Sequence, residues 1–157
     1  VLEYPVTFSF IWRIMQWYSI KNVRQSDLGE IVADIRVPPD SPWFSGHFPG
    51  EPILPGIAQL GMALDAINQS CGQNLRVSSI NRVRFKHIIR PNDCLKVVTA
   101  PLKRGEGLYS FRIMIEDKLV CSGIMALKTS AGKIMKKRQP HIGATEKEEV
   151  KKDVDRN

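Results

Sequence analysis

Cysteine is scarce in this chain, and what there is does not pair. Cys71, Cys94 and Cys121 are odd in number, and none falls in a CxxC pair. That usage supports neither a disulfide framework nor a zinc site, and a reducing compartment is the simpler reading. Long apolar runs are missing as well. The stretch from Val6 to Trp12 is interrupted by Arg13 and is too short to span a bilayer. It has no basic leader and no clear small-residue cleavage site, so no signal peptide and a cytoplasmic location are expected. There is no internal repeat, Gly-rich phosphate loop, nucleophilic Ser-His pair or cluster of metal ligands. The sequence therefore gives no reason to expect a metal or cofactor.

Acidic residues are outnumbered, and the formal net charge is +7 over 157 residues. A basic chain attracts nucleic acid, anionic membranes or acidic proteins. From Lys133 onward, 8 Lys/Arg stand against 5 Asp/Glu, so +3 lies in the tail and +4 in the rest. That remainder is modest for a dedicated nucleic-acid binder and suits an acidic protein partner equally well. The N-terminal aromatics Phe8, Phe10, Trp12, Trp17 and Tyr18 do not interleave with basic residues as a base-stacking platform would. Core or interface packing is their expected use.

The chain divides into an N-terminal segment (1–29) with no assigned element, a patterned region (30–130) and a charged tail (131–157), expected to be disordered toward its end. Ile31, Ala33, Ile35 and Val37 alternate with Glu30, Val32, Asp34 and Arg36, which predicts a strand. Ser41 to Pro55 reads as a loop with Gly46, Gly50 and four prolines. Ile57, Leu60, Leu64, Ile67 and Cys71 recur at helical spacing from Gly56, with small residues between them and Gly72 as a C-cap. Apolar nearly all round, that helix is expected to be deeply buried. Further strands are predicted over 77–89, 95–102, 108–116 and 119–128. The last two are joined by the Glu116-Asp117-Lys118 turn. A helix packed on an antiparallel sheet, the α+β class, is the expected architecture.

The stretch from Gly46 to Gly56, GHFPGEPILPG, resembles the active-site signature of the FabA/FabZ-type 3-hydroxyacyl-[acyl-carrier-protein] dehydratases. Residues 84–95, RFKHIIRPNDCL, resemble the strand and turn that come next in that family, and 120–127 are similar to its closing strand. The resemblance implies a hot-dog fold, in which a curved antiparallel sheet wraps a central helix. It also implies a homodimer or a multiple of dimers, with active sites at the subunit interface. The implied substrate is an acyl-phosphopantetheine thioester on acyl carrier protein, or an acyl-CoA.

Dehydrating a 3-hydroxyacyl thioester needs a base for the α-proton, a donor for the developing oxyanion and an acid for the departing hydroxyl. His47 suits the first role, because imidazole titrates near neutral pH. The backbone N–H of Gly56 suits the second, at a helix N-terminus that favours negative charge. Phe48, Pro49, Gly50 and Pro55 in the loop, with Gly61 on the helix, are expected to form the substrate-binding site. The third role exposes a departure. The position that carries Glu or Asp in the family is Gly61 here, which donates no proton. One helical turn later stands Asp65, where the family usually has Gln. Positions i and i+4 share a helix face, so Asp65 is a candidate acid working through the space that Gly61 leaves. The alternative is a chain that has lost dehydration and only binds acyl thioesters, or hydrolyses them as thioesterases of this fold do.

Strand alternation predicts Val83, Phe85 and His87 on one face, with His87 partly buried. Arg82, Arg84 and Lys86 are then a basic stripe on the other, a candidate docking surface for acyl carrier protein. His141, near the tail, carries no pattern.

Overall fold

The computed structural model describes residues 17–131, apart from 47 and 49. Among these residues six strands are present: β1 (Ser19–Gln25), β2 (Ile31–Arg36), β3 (Leu75–Phe85), β4 (Cys94–Pro101), β5 (Leu108–Ile115) and β6 (Lys118–Thr129). One α-helix, α1 (Gly56–Cys71), lies between β2 and β3 in the chain. The strands form a single sheet in the order β1-β2-β4-β5-β6-β3, with every neighbouring pair antiparallel. The sheet does not close, so β1 and β3 are its edges. This is the hot-dog arrangement: one helix packed against a six-stranded antiparallel sheet.

Alternation explains the sheet's inner face. Ile31, Ala33 and Ile35 on β2, Leu95, Val97 and Thr99 on β4, and Tyr109, Phe111 and Ile113 on β5 are buried. Their neighbours in sequence are more exposed, as period-two geometry requires. Onto this face α1 lays Ala58, Met62, Ala63, Ala66 and Ile67. The alanines let the helix approach closely. Met62 and Ile67 fill what remains, and truncating either to Ala would cost roughly 2–5 kcal/mol.

The helix ends are fixed differently. At the C-terminus Gly72 adopts a left-handed conformation (φ 62) and donates its N–H to the Asn68 carbonyl. The Asn68 side chain then makes two hydrogen bonds to the backbone of Leu75, at 2.9 and 3.2 Å, pinning the helix end to the start of β3. At the N-terminus the capping residue is Pro55, whose side chain makes no capping hydrogen bond.

The sheet departs from sequence expectation in two places. It begins before residue 30, because β1 pairs with β2 through a bulge between Lys21 and Arg24, where Asn22 has φ 51. The strand expected over 77–89 instead spans Leu75–Phe85 and carries two register shifts against β6, between Val77 and Ser79 and between Asn81 and Arg84. Arg82 takes φ 54 at the second. A bulge adds a residue on one side and re-aims the side chains beyond it, so the clean separation of faces expected for residues 82–87 does not hold. His87 lies beyond the strand end and is exposed, not partly buried. Phe8, Phe10 and Trp12, and the tail expected to be disordered, lie outside the described residues, except for Ala131 at the start of that tail.

Candidate active site

The motif loop is anchored at both ends. Upstream, Ser41 donates its hydroxyl to the Trp17 carbonyl (2.7 Å), and the Trp43 ring meets Trp17 edge-on with centroids 4.8 Å apart. Downstream, Leu54 is 2% exposed and its N–H donates to the Ile89 carbonyl at 2.9 Å. Between these anchors Gly46, Phe48 and Gly50 have φ 76, 60 and 90, all left-handed. Glycine takes that region without steric cost. Phe48 does not, and a bulky residue held there is a recognised mark of functional loops. His47 and Pro49, expected as base and loop residue, lie outside the described residues.

At Gly56 the chain turns into α1. An α-helix leaves its first N–H groups without intrahelical partners, and here the proline cap supplies no side-chain acceptor. The helix dipole adds partial positive charge at the same point. The ring of Phe85 stands over Gly56, with Cζ 2.6 Å from where a Cβ would lie. A Cβ here would have to displace that ring, and glycine also leaves the helix end open to a ligand. A cleft of ≈ 330 Å³ opens here, walled by Phe48, Pro55, Gly56, Gln59, Phe85 and His87. Lys86 and Ile88 lie at the same cleft. Phe48, Phe85 and Ile88, all at this cleft, are 63%, 52% and 45% exposed, an unusual concentration of apolar surface around one opening.

Of the sequence-predicted residues, the fold thus gathers Phe48, Pro55 and Gly56 at one cleft. Gly50 is exposed on the loop, and Gly61 is half-buried on α1. Arg82 and Arg84 are exposed on β3, and Lys86 stands at the cleft mouth instead of beside them. Asp65 does not line this cleft. It stands roughly two and a half helical turns beyond Gly56, about 13 Å along the axis. There it is half-buried, and the Tyr18 hydroxyl donates a hydrogen bond to its Oδ2. Burial holds the Asp65 carboxyl above the usual carboxylate range, and the Tyr18 hydrogen bond partly offsets this. Tyr18 itself is pushed well above the usual phenol range, by burial and then by the neighbouring carboxylate.

Sequence reasoning misses three residues at or near the site. It assigns Phe85 only to a face and Tyr18 only to packing, and it passes over Gln59. Gln59 has a legible signal, a polar side chain inside the otherwise apolar helix start GIAQLGM. Among the described residues no group of three or more His, Cys, Asp or Glu could hold a metal ion. A second cleft of ≈ 300 Å³ among Lys21, Asp34, Arg36, Lys96 and Glu116 contains none of the motif residues.

Comparison with known proteins identifies the family and the fold. Residues 22–124 match the model of the ApeI-like family, described as ApeI dehydratase. The chain is 34% identical over 99 residues to the 3-hydroxyacyl-[acyl-carrier-protein] dehydratase FabZ of Chloroflexus aggregans, covering 57% of this chain and 69% of that protein. It is 32% identical over 114 residues to the FabZ of Syntrophobacter fumaroxidans, covering 66% and 78%. A chain of the dehydratase heterocomplex ApeI:P from Xenorhabdus doucetiae superposes with a TM-score of 0.62 at 25% identity, over 69% of this chain and 96% of that one.

Proposed function

Because the chain belongs to the ApeI-like dehydratase family, we propose that it removes water from a 3-hydroxyacyl thioester borne by acyl carrier protein, giving the trans-2-enoyl thioester. The observation that carries this reading is the helix start at Gly56, whose capping residue Pro55 makes no side-chain hydrogen bond and which opens on the motif cleft. A thioester carbonyl oxygen placed there meets N–H donors and the positive end of the dipole, which stabilise the charge that develops as the α-proton leaves.

In this reading His47 takes the α-proton, and the electron pair moves onto the thioester oxygen held at Gly56. The pair then returns, the bond from C3 to oxygen breaks, and the hydroxyl departs as water with a proton from Asp65. Burial raises the pKa of Asp65, which favours the protonated form that a general acid needs. Its distance from Gly56 along α1 calls for two protomers, with Asp65 of one serving the cleft of the other. Sheet edges and the exposed apolar rim of the cleft are the surfaces such a pairing would use. The test measures hydration of a 2-enoyl thioester by wild-type protein and the His47→Ala variant. Turnover should vanish while the circular dichroism spectrum stays unchanged, and undiminished turnover would remove His47 from the mechanism.

A second reading is favoured by Gly61, which leaves the family's acid position empty. The chain would then be one half of a mixed pair in which a different hot-dog subunit supplies the carboxylate; the similar ApeI:P is itself a dehydratase heterocomplex. An inactive homogeneous protein that gains activity on adding such a subunit would select this reading.

A further inference from the structure

The cleft wall contains a buried polar atom without a partner among the described residues. Gln59 is 4% exposed and lies one turn into α1 from Gly56. Helical side chains lean toward the N-terminus, and Gln59 folds back until its Nε2 donates to the Leu54 carbonyl at 3.5 Å. That acceptor fixes which end of the carboxamide is nitrogen. The other end, Oε1, is the buried atom that no described donor reaches. Leaving such an acceptor unmade costs about 1–3 kcal/mol, and an apolar residue of similar size would avoid the cost. A liability of this kind is retained where a ligand uses it. Sequence neighbours Ala58 and Leu60 show that apolar side chains suit this turn of the helix.

We propose that Gln59 Oε1 is the acceptor for the 3-hydroxyl of the bound thioester, and so selects 3-hydroxyacyl chains over unsubstituted ones. This rests on the reading that the thioester carbonyl sits at Gly56. Carbonyl and hydroxyl are borne on C1 and C3 of the substrate, and the helix start offers a matching pair: N–H donors at Gly56 and an acceptor on Gln59 less than one turn away. Gln59 acts as a positioning residue and transfers no proton. By holding the hydroxyl through its hydrogen, it turns the oxygen lone pairs toward the acid. Because Oε1 is sealed within the wall, the hydroxyl reaches it by a side-chain adjustment there. The bond then forms in a low-dielectric setting where it counts for more than in water.

The test compares Gln59→Leu with wild type, using two hydrolysis-resistant pantetheine analogues of equal chain length in which an amide replaces the thioester and keeps its carbonyl, one 3-hydroxyacyl and one saturated. Wild type should bind the 3-hydroxy analogue more tightly, and the variant should lose about tenfold in that preference. Affinity for the saturated analogue should hold, and the thermal midpoint should stay level or rise as the orphan oxygen is removed. Equal weakening for both analogues would assign the donor to a pantetheine amide and overturn the proposal. So would an unchanged preference, or a marked fall in thermal midpoint, which would make Gln59 a structural residue. Wild type that binds neither analogue would overturn the thioester reading itself, and this proposal with it. Gln59→Glu provides a second variant: it retains an acceptor oxygen, so it should keep more of the preference than Leu does.

Discussion

The hydroxyl of Tyr18 donates a hydrogen bond to the carboxylate of Asp65, joining the residue just ahead of β1 to the middle of α1 across 47 positions of sequence. The backbone beside it does related work, since Ser41 is tied to the Trp17 carbonyl. One dipeptide therefore holds both the entry to the motif loop and the candidate acid.

Asp65→Asn keeps the size and removes the proton, so dehydration should fall by about 10²-fold or more. The same change should stabilise the protein at neutral pH. A carboxyl whose folded pKa is raised favours the protonated native state. Its penalty is absent below the unfolded carboxylate pKa and is fully present above the folded one. Thermal melts of the two proteins should thus differ near pH 7 and converge toward pH 3. An Asn variant that melts lower at neutral pH would contradict the assignment of burial as the dominant effect on Asp65.

Tyr18→Phe should leave a folded protein whose pH–rate profile has moved. The lost hydrogen bond is one that lowers the Asp65 pKa. Without it Asp65 holds its proton to higher pH, and the alkaline limb set by the acid should shift upward. A purely structural Tyr18 would lower the rate at every pH and leave the limb in place.

Gly56→Ala should harm activity more than stability. The new methyl meets the Phe85 ring. Half of that ring is exposed, so it can yield into the cleft instead of straining the core. A loss of at least tenfold in turnover with little change in thermal midpoint is expected. The double variant Gly56→Ala with Phe85→Ala should recover part of it. No recovery would show that the methyl blocks the ligand directly.

Reversing charge at Arg82 and Arg84 should lower kcat/KM for a substrate carried on acyl carrier protein, with the difference shrinking as salt is added. A small thioester without the carrier should be turned over as before. Equal effects on both substrates would exclude this stripe as the docking surface. Sedimentation of the unmodified protein should give a dimer, and a monomer at all practical concentrations would count against a cleft shared between protomers.

The sheet is readable wherever strands alternate simply. Ile31 to Arg36 and Leu108 to Ile115 keep period two from end to end, and the helix from Gly56 to Gly72 announces both its small-residue start and its glycine stop. Strand β3 is not readable at its far end for a physical reason. Its inward residues Leu75, Val77, Ile80 and Val83 are spaced by neither the strand period nor the helical one, because bulges insert extra residues. The same irregularity hides the exposure of His87. Motif chemistry at His47 and Gly56 can be argued from residue type once the resemblance to the family's signature is seen. The Tyr18 contact cannot, since nothing local in sequence pairs a phenol with a carboxylate so far along the chain.

The strand order has a consequence for how the protein comes into being on the ribosome. Among the described residues strand β3 pairs only with β6, which ends at Thr129. About 30 residues separate the two strands, several seconds of synthesis at roughly 5–20 residues per second. During that interval the motif loop and α1 have left the ribosome, but the sheet that covers the helix is incomplete. The cleft is completed late as well, because the backbone of Lys86 is held by the carbonyl of Val120 (2.8 Å). A nascent chain stalled before β6 would expose an apolar helix and an unpaired strand together, the kind of surface that makes incomplete chains prone to aggregate.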